Sequence, residues 1–296
     1  MTKRFAGIFT PIATPFRPDD TLDEAGLRAN IARWMQTSLT GLVVLGSNGE
    51  APQLDDDESD RIIAIAREAM PRNRPMIVGT GRESTRATIA ASKRAAAAGA
   101  DAVLVRTPSF FKPQMTTDVF VQHYTAVADA SPVPVLLYNV TPYTGVNLSP
   151  EAVERLGVHP NIPGMKDSGG DIGRLAEYIA RTPDDFAVLS GSATTLVHAL
   201  AAGCDGAVLA VAAIMPEACV EMRALVSAGR LAEAHALQRW IMPLARSVGG
   251  GYGVPGLKAA LELMGFAGGR PRPPLRPVSS EAAEIIRGQL VACGAV

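Results

Sequence analysis

Residues Met76 to Thr107 read MIVGTGRESTRATIAASKRAAAAGADAVLVRT. A short apolar run, Met76 to Thr80, gives way to an Ala-rich stretch of helical length, Ser84 to Ala98, and then to a second apolar run, Ala102 to Thr107. Two runs of strand length joined by one of helix length form a βαβ unit with parallel strands. The same alternation continues in both directions. Further strands are predicted over Gly7 to Ile12, Gly41 to Leu45, Val135 to Asn139, Ile162 to Asp167, Ala187 to Ser190 and Gly206 to Ala210. Helices are predicted near Glu24 to Gln36, Asp57 to Met70, Asp118 to Ala130, Pro150 to Leu156, Asp171 to Arg181, Thr194 to Ala202 and Glu217 to Ser227. Eight strands, each followed by a helix, predict an α/β fold closed as a (β/α)8 TIM barrel rather than an open doubly wound sheet.

The barrel is expected over residues 1–227, close to the roughly 250 residues usual for that fold. Residues 228–296 are expected to form a C-terminal helical domain, with helices near Arg230 to Val248, Pro255 to Met264 and Glu281 to Ala292. Between them, Val248-Gly-Gly-Gly-Tyr-Gly253 reads as a flexible loop and Gly268 to Pro277 as a surface strap. Asp55 to Glu58 reads as a helix cap rather than a metal site.

The 296 residues are 47% hydrophobic and 19% charged, and 28 basic residues stand against 29 acidic ones, for a formal charge of −1. That composition describes a globular chain with a sizeable core. It gives no basic excess for nucleic acid as the main partner. The longest purely apolar run, Ala207 to Met215, is about half of the ~20 residues a membrane helix needs. Pro11 and Pro15 break the apolar start, which makes a poor signal peptide. Cys204, Cys219 and Cys293 are odd in number and lack CxxC spacing, so a reduced, cytoplasmic protein is expected.

A barrel carries its chemistry at the C-terminal ends of its strands. Of the five lysines, Lys3, Lys93, Lys112, Lys166 and Lys258, only Lys166 stands at such an end. Its apolar lead-in, Ile162-Pro-Gly-Met165, takes the amine out of water, and a lysine in a pocket can form a Schiff base with a carbonyl substrate. The plain alternative is a lysine paired with Asp167. Tyr138 ends the neighbouring strand, within reach of Lys166 across the ~4.8 Å between strands, and is a candidate proton shuttle. Its alternative is a rim tyrosine bonded to a backbone carbonyl. Gly46-Ser-Asn-Gly-Glu50 is either a small carboxylate cradle or an ordinary turn. Gly79-Thr-Gly-Arg-Glu-Ser84 lacks the third glycine of a dinucleotide fingerprint. His123, His159, His198 and His235 are scattered without HxxxH, so no metal ligand set is expected.

Gly46-Ser-Asn-Gly-Glu50, Tyr138-Asn-Val140, Gly164-Met-Lys-Asp-Ser168 and Leu189-Ser-Gly-Ser192, in this order on a barrel pattern, resemble the dihydrodipicolinate synthase and N-acetylneuraminate lyase superfamily over nearly the whole chain. The resemblance implies a class I lyase without cofactor, in which Lys166 forms a covalent imine with pyruvate or another 2-oxo acid. It implies that Tyr138 and Ser47 move protons and that Gly46, Ser47 and Asn48 hold the substrate carboxylate. Ser168, Ser190, Gly191, Val208 and Tyr143 would complete the binding set. It further implies a homotetramer, or dimer of dimers, acting on small molecules.

Within the superfamily, Ala69-Met-Pro-Arg-Asn-Arg74, His123-Tyr-Thr-Ala-Val-Ala-Asp129 and Val254-Pro-Gly-Leu-Lys258 look most like 4-hydroxy-2-oxoglutarate aldolase, which yields pyruvate and glyoxylate. The alternatives are 4-hydroxy-tetrahydrodipicolinate synthase, a dehydratase of sugar-derived 2-oxo acids, and a noncatalytic 2-oxo acid-binding paralogue. Tyr143 stands where synthases of the family carry an arginine, and Phe110 where many members carry a relay tyrosine lent by a neighbouring subunit.

Overall fold

The computed structural model describes residues 3–296. Strand β1 (Gly7–Pro11) pairs with β2 (Gly41–Val44) on one side and with β8 (Gly206–Val208) on the other, and the second pairing closes the sheet. Between them run β3 (Met76–Gly79), β4 (Ala102–Arg106), β5 (Val135–Asn139), β6 (Gly164–Asp167) and β7 (Ala187–Ser190). All pairs are parallel and in sequence order, so the chain forms the expected (β/α)8 barrel. The closing seam needs glycine: a Cβ on Gly206 would stand 1.9 Å from the Gly7 carbonyl oxygen.

Both faces of the strands are buried, which is why they read as continuous apolar runs rather than alternating ones. Leu136 and Tyr138 of β5 face a core inside the barrel with Phe9, Ile77 and Leu104. Val135 and Leu137 face the core between sheet and helices. That outer layer comprises α1 (Glu24–Trp34), α2 (Asp56–Ala69), α3 (Thr85–Ala97), α4 (Thr117–Ala130), α5 (Thr141–Thr144), α6 (Pro150–Gly157), α7 (Ile172–Arg181), α8 (Leu196–Ala201) and α9 (Pro216–Ser227). Polar side chains fix several starts: Asp55 and Glu58 form a reciprocal capping box on α2, and Ser84, Thr116, Ser149 and Asp171 cap α3, α4, α6 and α7. Among the described residues no helix is long and apolar enough to cross a membrane.

After α9 the chain continues into α10 (Leu231–Arg246), α11 (Gly253–Leu263) and α12 (Ser280–Ala292). The expectation of a flexible loop at Val248 to Gly253 is corrected here. Ser247–Gly251 forms a wide π turn that runs α10 into α11, closed by the Tyr252 N–H on the Ser247 carbonyl at 3.0 Å. The buried Val248 anchors it, and the backbone bonds made within the turn outweigh the low helix propensity of its glycines. Helix α5 was not among the expected helices; its Pro142 stands in the first turn, where proline leaves no bond unmade.

His123 on α4 is buried, with Nδ1 2.9 Å from the Thr85 hydroxyl. Burial lowers its pKa to about 4, against a weaker opposing pull from Glu83. In the unfolded chain the imidazole takes up its proton near 6.5. As pH falls from about 6.5 to 4, the unfolded chain therefore gains a proton that the folded chain does not. The associated loss of stability reaches about 3 kcal/mol. Urea unfolding across this range should show a shallower acid limb in His123→Gln than in the parent chain.

Candidate active site

Strand register builds the centre of the site. Tyr138 lies opposite Lys166 in the β5–β6 pair and opposite Arg106 in the β4–β5 pair, so all three stand in one inward row at the C-terminal end of the barrel. The Lys166 amine donates to the Tyr138 phenol oxygen at 3.3 Å, and the Ser47 hydroxyl lies 3.3 Å from the same oxygen. Lys166 is only 5% exposed. Asp167, next in sequence, points the other way, as alternation on a strand requires. Its carboxylate accepts from Asn139 Nδ2 at 2.6 Å and from the Gly169 amide at 3.1 Å. Burial raises the Asp167 pKa in spite of these bonds. Among the described residues no carboxylate forms an ion pair with Lys166, so the pairing with Asp167 weighed from sequence is not made.

Burial works to raise the pKa of Tyr138. The charge of Lys166 and hydrogen bonding from Ser47, Ser168 and Lys166 outweigh it, and the phenol ends below its ordinary value of 10. A phenol moved in that direction, between an amine and a hydroxyl, is suited to pass protons between them.

Ser47 sits on a loop held in a costly backbone shape. Leu45 and Glu50 both take left-handed φ angles, +55° and +57°. Gly79 makes the first bend possible, since a Cβ there would stand 1.9 Å from the Leu45 carbonyl oxygen. The second is held from the C-terminal segment. The Glu50 carboxylate meets the Lys258 ammonium at 2.5 Å, with both side chains buried, and accepts from the Arg272 amide at 2.7 Å. Lys258 also donates to the Arg270 carbonyl at 2.8 Å. The Arg272 guanidinium closes the strap with two bonds to Glu58 at 2.6 and 2.7 Å. Burial pushes the Lys258 pKa down, and Glu50 restores only part of it.

Ser47, Asn48, Tyr138, Tyr143, Lys166, Ser168, Gly191 and Val208 line one cavity of about 700 Å³. Asn48 Nδ2 is buried there without a partner. The Gly49 and Glu50 amides are used inside the turn, bonded to the Gly46 and Ser47 carbonyls, so these two are not free for a ligand. Gly46 lines a smaller adjoining cavity of about 250 Å³ with Ser47, Tyr138, Glu83 and Arg106. Ser190 is not at either wall. It is paired with Asp167 in the outward row, and its hydroxyl donates to the Ser192 carbonyl at 3.4 Å.

Sequence reading gave no role to Arg106 or Glu83. Arg106 was legible from register alone, because it ends β4 one strand over from Tyr138. Its guanidinium pairs with Glu83 at 2.7 Å, and Glu83 also accepts from the Ser109 and Phe110 amides at 2.8 and 2.9 Å. Those bonds, together with Arg106, outweigh burial and lower the Glu83 pKa. The held loop presents Phe110 to solvent, 79% exposed, with Phe111 against it edge to face.

Residues 4–292 match the family model described as the dihydrodipicolinate synthetase family. The chain is 36% identical to a 4-hydroxy-tetrahydrodipicolinate synthase of Exiguobacterium over 278 residues, 94% of each chain. It is 37% identical to a probable mitochondrial 4-hydroxy-2-oxoglutarate aldolase of Emericella nidulans over 291 residues, 94% of this chain and 92% of that one. The crystal structure of a dihydrodipicolinate synthase from Thermotoga maritima superposes with a TM-score of 0.94 at 32% identity, covering 99% of both chains.

Removing one partner of the buried Glu50–Lys258 pair strands the other charge. Lys258→Ala should lower the unfolding free energy by about 3–5 kcal/mol in urea titrations. The double variant Glu50→Gln/Lys258→Met, which leaves no charge behind, should recover most of that loss.

Proposed function

The chain belongs to the dihydrodipicolinate synthetase family, and on that premise we propose that it cleaves 4-hydroxy-2-oxoglutarate to pyruvate and glyoxylate through an imine on Lys166. The observation that carries this reading is the chain of contacts from the Ser47 hydroxyl through the Tyr138 phenol to a buried Lys166 amine with no carboxylate partner. The amine attacks the C2 carbonyl carbon, water leaves, and the resulting iminium accepts the electron pair released when the bond between C3 and C4 breaks. The C4 hydroxyl gives up its proton as glyoxylate departs. The enamine is then protonated at C3, and hydrolysis returns pyruvate and the free lysine.

In this reading Tyr138 takes and returns the proton at the reacting oxygens, with Ser47 as the intermediate hydroxyl. Asn48 Nδ2, buried without a protein partner, donates to the substrate carboxylate. Phe110 has no hydroxyl to lend, so protons leave Tyr138 through Ser47 and water in the adjoining cavity. The homotetramer implied by the resemblance would cover the exposed Phe110 and Phe111 rings.

Cleavage is favoured over synthesis because Tyr143, rather than a cation, occupies the position at which synthases of the family present arginine. The synthase names among the relatives support a second reading, in which the same enamine attacks aspartate semialdehyde.

Treatment with pyruvate and borohydride, followed by peptide mass spectrometry, should place a reduced adduct on Lys166. Lys166→Ala should abolish both adduct and turnover, and Tyr138→Phe should lower kcat about 10²- to 10⁴-fold. Residual turnover in the Lys166 variant would exclude the imine. Release of pyruvate from 4-hydroxy-2-oxoglutarate, without consumption of aspartate semialdehyde in the presence of pyruvate, would decide for cleavage; the converse would decide for the synthase.

A further inference from the structure

Among the described residues, the cavity above Lys166 is lined by two cationic side chains, Lys166 and Arg246, and by no Asp or Glu. Arg246 is the last residue of α10, directly before the π turn. Among the described residues its guanidinium has no ion pair and makes no hydrogen bond. Neighbouring arginines at this end of the barrel are neutralised: Arg106 by Glu83 at 2.7 Å and Arg174 by Asp171 at 3.6 Å.

The wall beside Arg246 is bare. Gly249 and Gly250 line the same cavity, and a Cβ on either would meet nothing within 4 Å. Neither has the positive φ that requires glycine. Conformation and crowding therefore leave their lack of a side chain unexplained. Its physical result is open space next to an unpaired cation.

Charge balance gives that space a ligand. One carboxylate of a 2-oxo acid is accounted for at Ser47 and Asn48. Once the imine forms, Lys166 carries its positive charge in the iminium, and the solvent-exposed Arg246 is left without a protein counter-ion among the described residues. A second carboxylate at the distal end of the substrate would meet it through charge-assisted hydrogen bonds. A distal ammonium would meet two cations and no acid. We infer that Arg246 is the specificity residue for a second substrate carboxylate, which makes the site one for dicarboxylic 2-oxo acids. The inference rests on the Lys166 reading for the orientation of the substrate.

A matched pair of ligands tests it. 2-Oxoglutarate and 2-oxopentanoate have the same chain length and differ in the distal carboxylate. Calorimetry on the full chain should find 2-oxoglutarate bound about tenfold or more tightly than 2-oxopentanoate. Arg246→Gln should bring the two within about threefold by weakening 2-oxoglutarate alone, and Arg246→Lys should keep part of the preference. Added salt should erode the preference in the parent chain. Equal binding of the two by the parent chain, a preference that survives Arg246→Gln, or an equal loss for both ligands would overturn the assignment. Borohydride trapping of pyruvate by the parent chain is scored separately. An adduct without the preference sinks Arg246 alone, whereas the preference without an adduct sinks the imine and leaves Arg246 as a carboxylate reader.

Discussion

The register between β5 and β6 is the constraint on which the site depends. A one-residue slip would turn every side chain of the slipped strand to the opposite face. With Tyr138 opposite Lys166, phenol and amine share the inward row, and Asn139 and Asp167 share the outward one. The outward pair then serves the scaffold: Asn139 Nδ2 holds Asp167, and Asn139 Oδ1 accepts from the Leu148 amide at 3.1 Å, tying β5 to the segment that enters α6. One alternation thus separates Lys166 from the acid beside it in sequence. Without that separation the ammonium and the carboxylate would be free to pair.

The row needs Ser47 as a third member, and Ser47 comes from a loop whose backbone is strained at both ends. Strain of this kind persists only where the surroundings over-determine it. Here they come from the far end of the chain: Lys258 on α11 and Arg272 in the strap converge on Glu50, and the Arg270 carbonyl holds Lys258, with the Phe16 ring 4.5 Å from the Lys258 ammonium and 4.1 Å from the Arg272 guanidinium carbon. A buried ion pair is weak evidence for net stability, since desolvation offsets much of its attraction. Its consequence here is positional. The residues after the barrel fix the place of a hydroxyl at the barrel's mouth.

The fold was legible because burial on both faces leaves uninterrupted apolar runs, and eight of them alternate with helical stretches. Lys166 and Tyr138 were legible as strand-end residues. Their proximity followed from their places at the ends of neighbouring strands, and the 3.3 Å contact bears it out. Val248 to Gly253 was misread because glycine propensity describes an isolated helix, whereas here α10 and α11 are already packed and the π turn needs only to join them. Glu50 and Lys258 are 208 positions apart, so no local pattern joins them. Ser190 was placed at the pocket on its motif, and the strand's alternation turned it away.

Ser47 and Tyr138 line both the larger and the smaller cavity, so the hydroxyl pair forms a partition between them. On one side lie Lys166 and the cavity of about 700 Å³. On the other lies the Arg106–Glu83 pair, whose carboxylate also holds the loop that carries Phe110. In the proposed cleavage, proton transfer through such a partition would need no hydroxyl above the substrate. On that proposal Phe110 is compatible with the row, because the loop that carries it is held by Glu83 at the border of the smaller cavity.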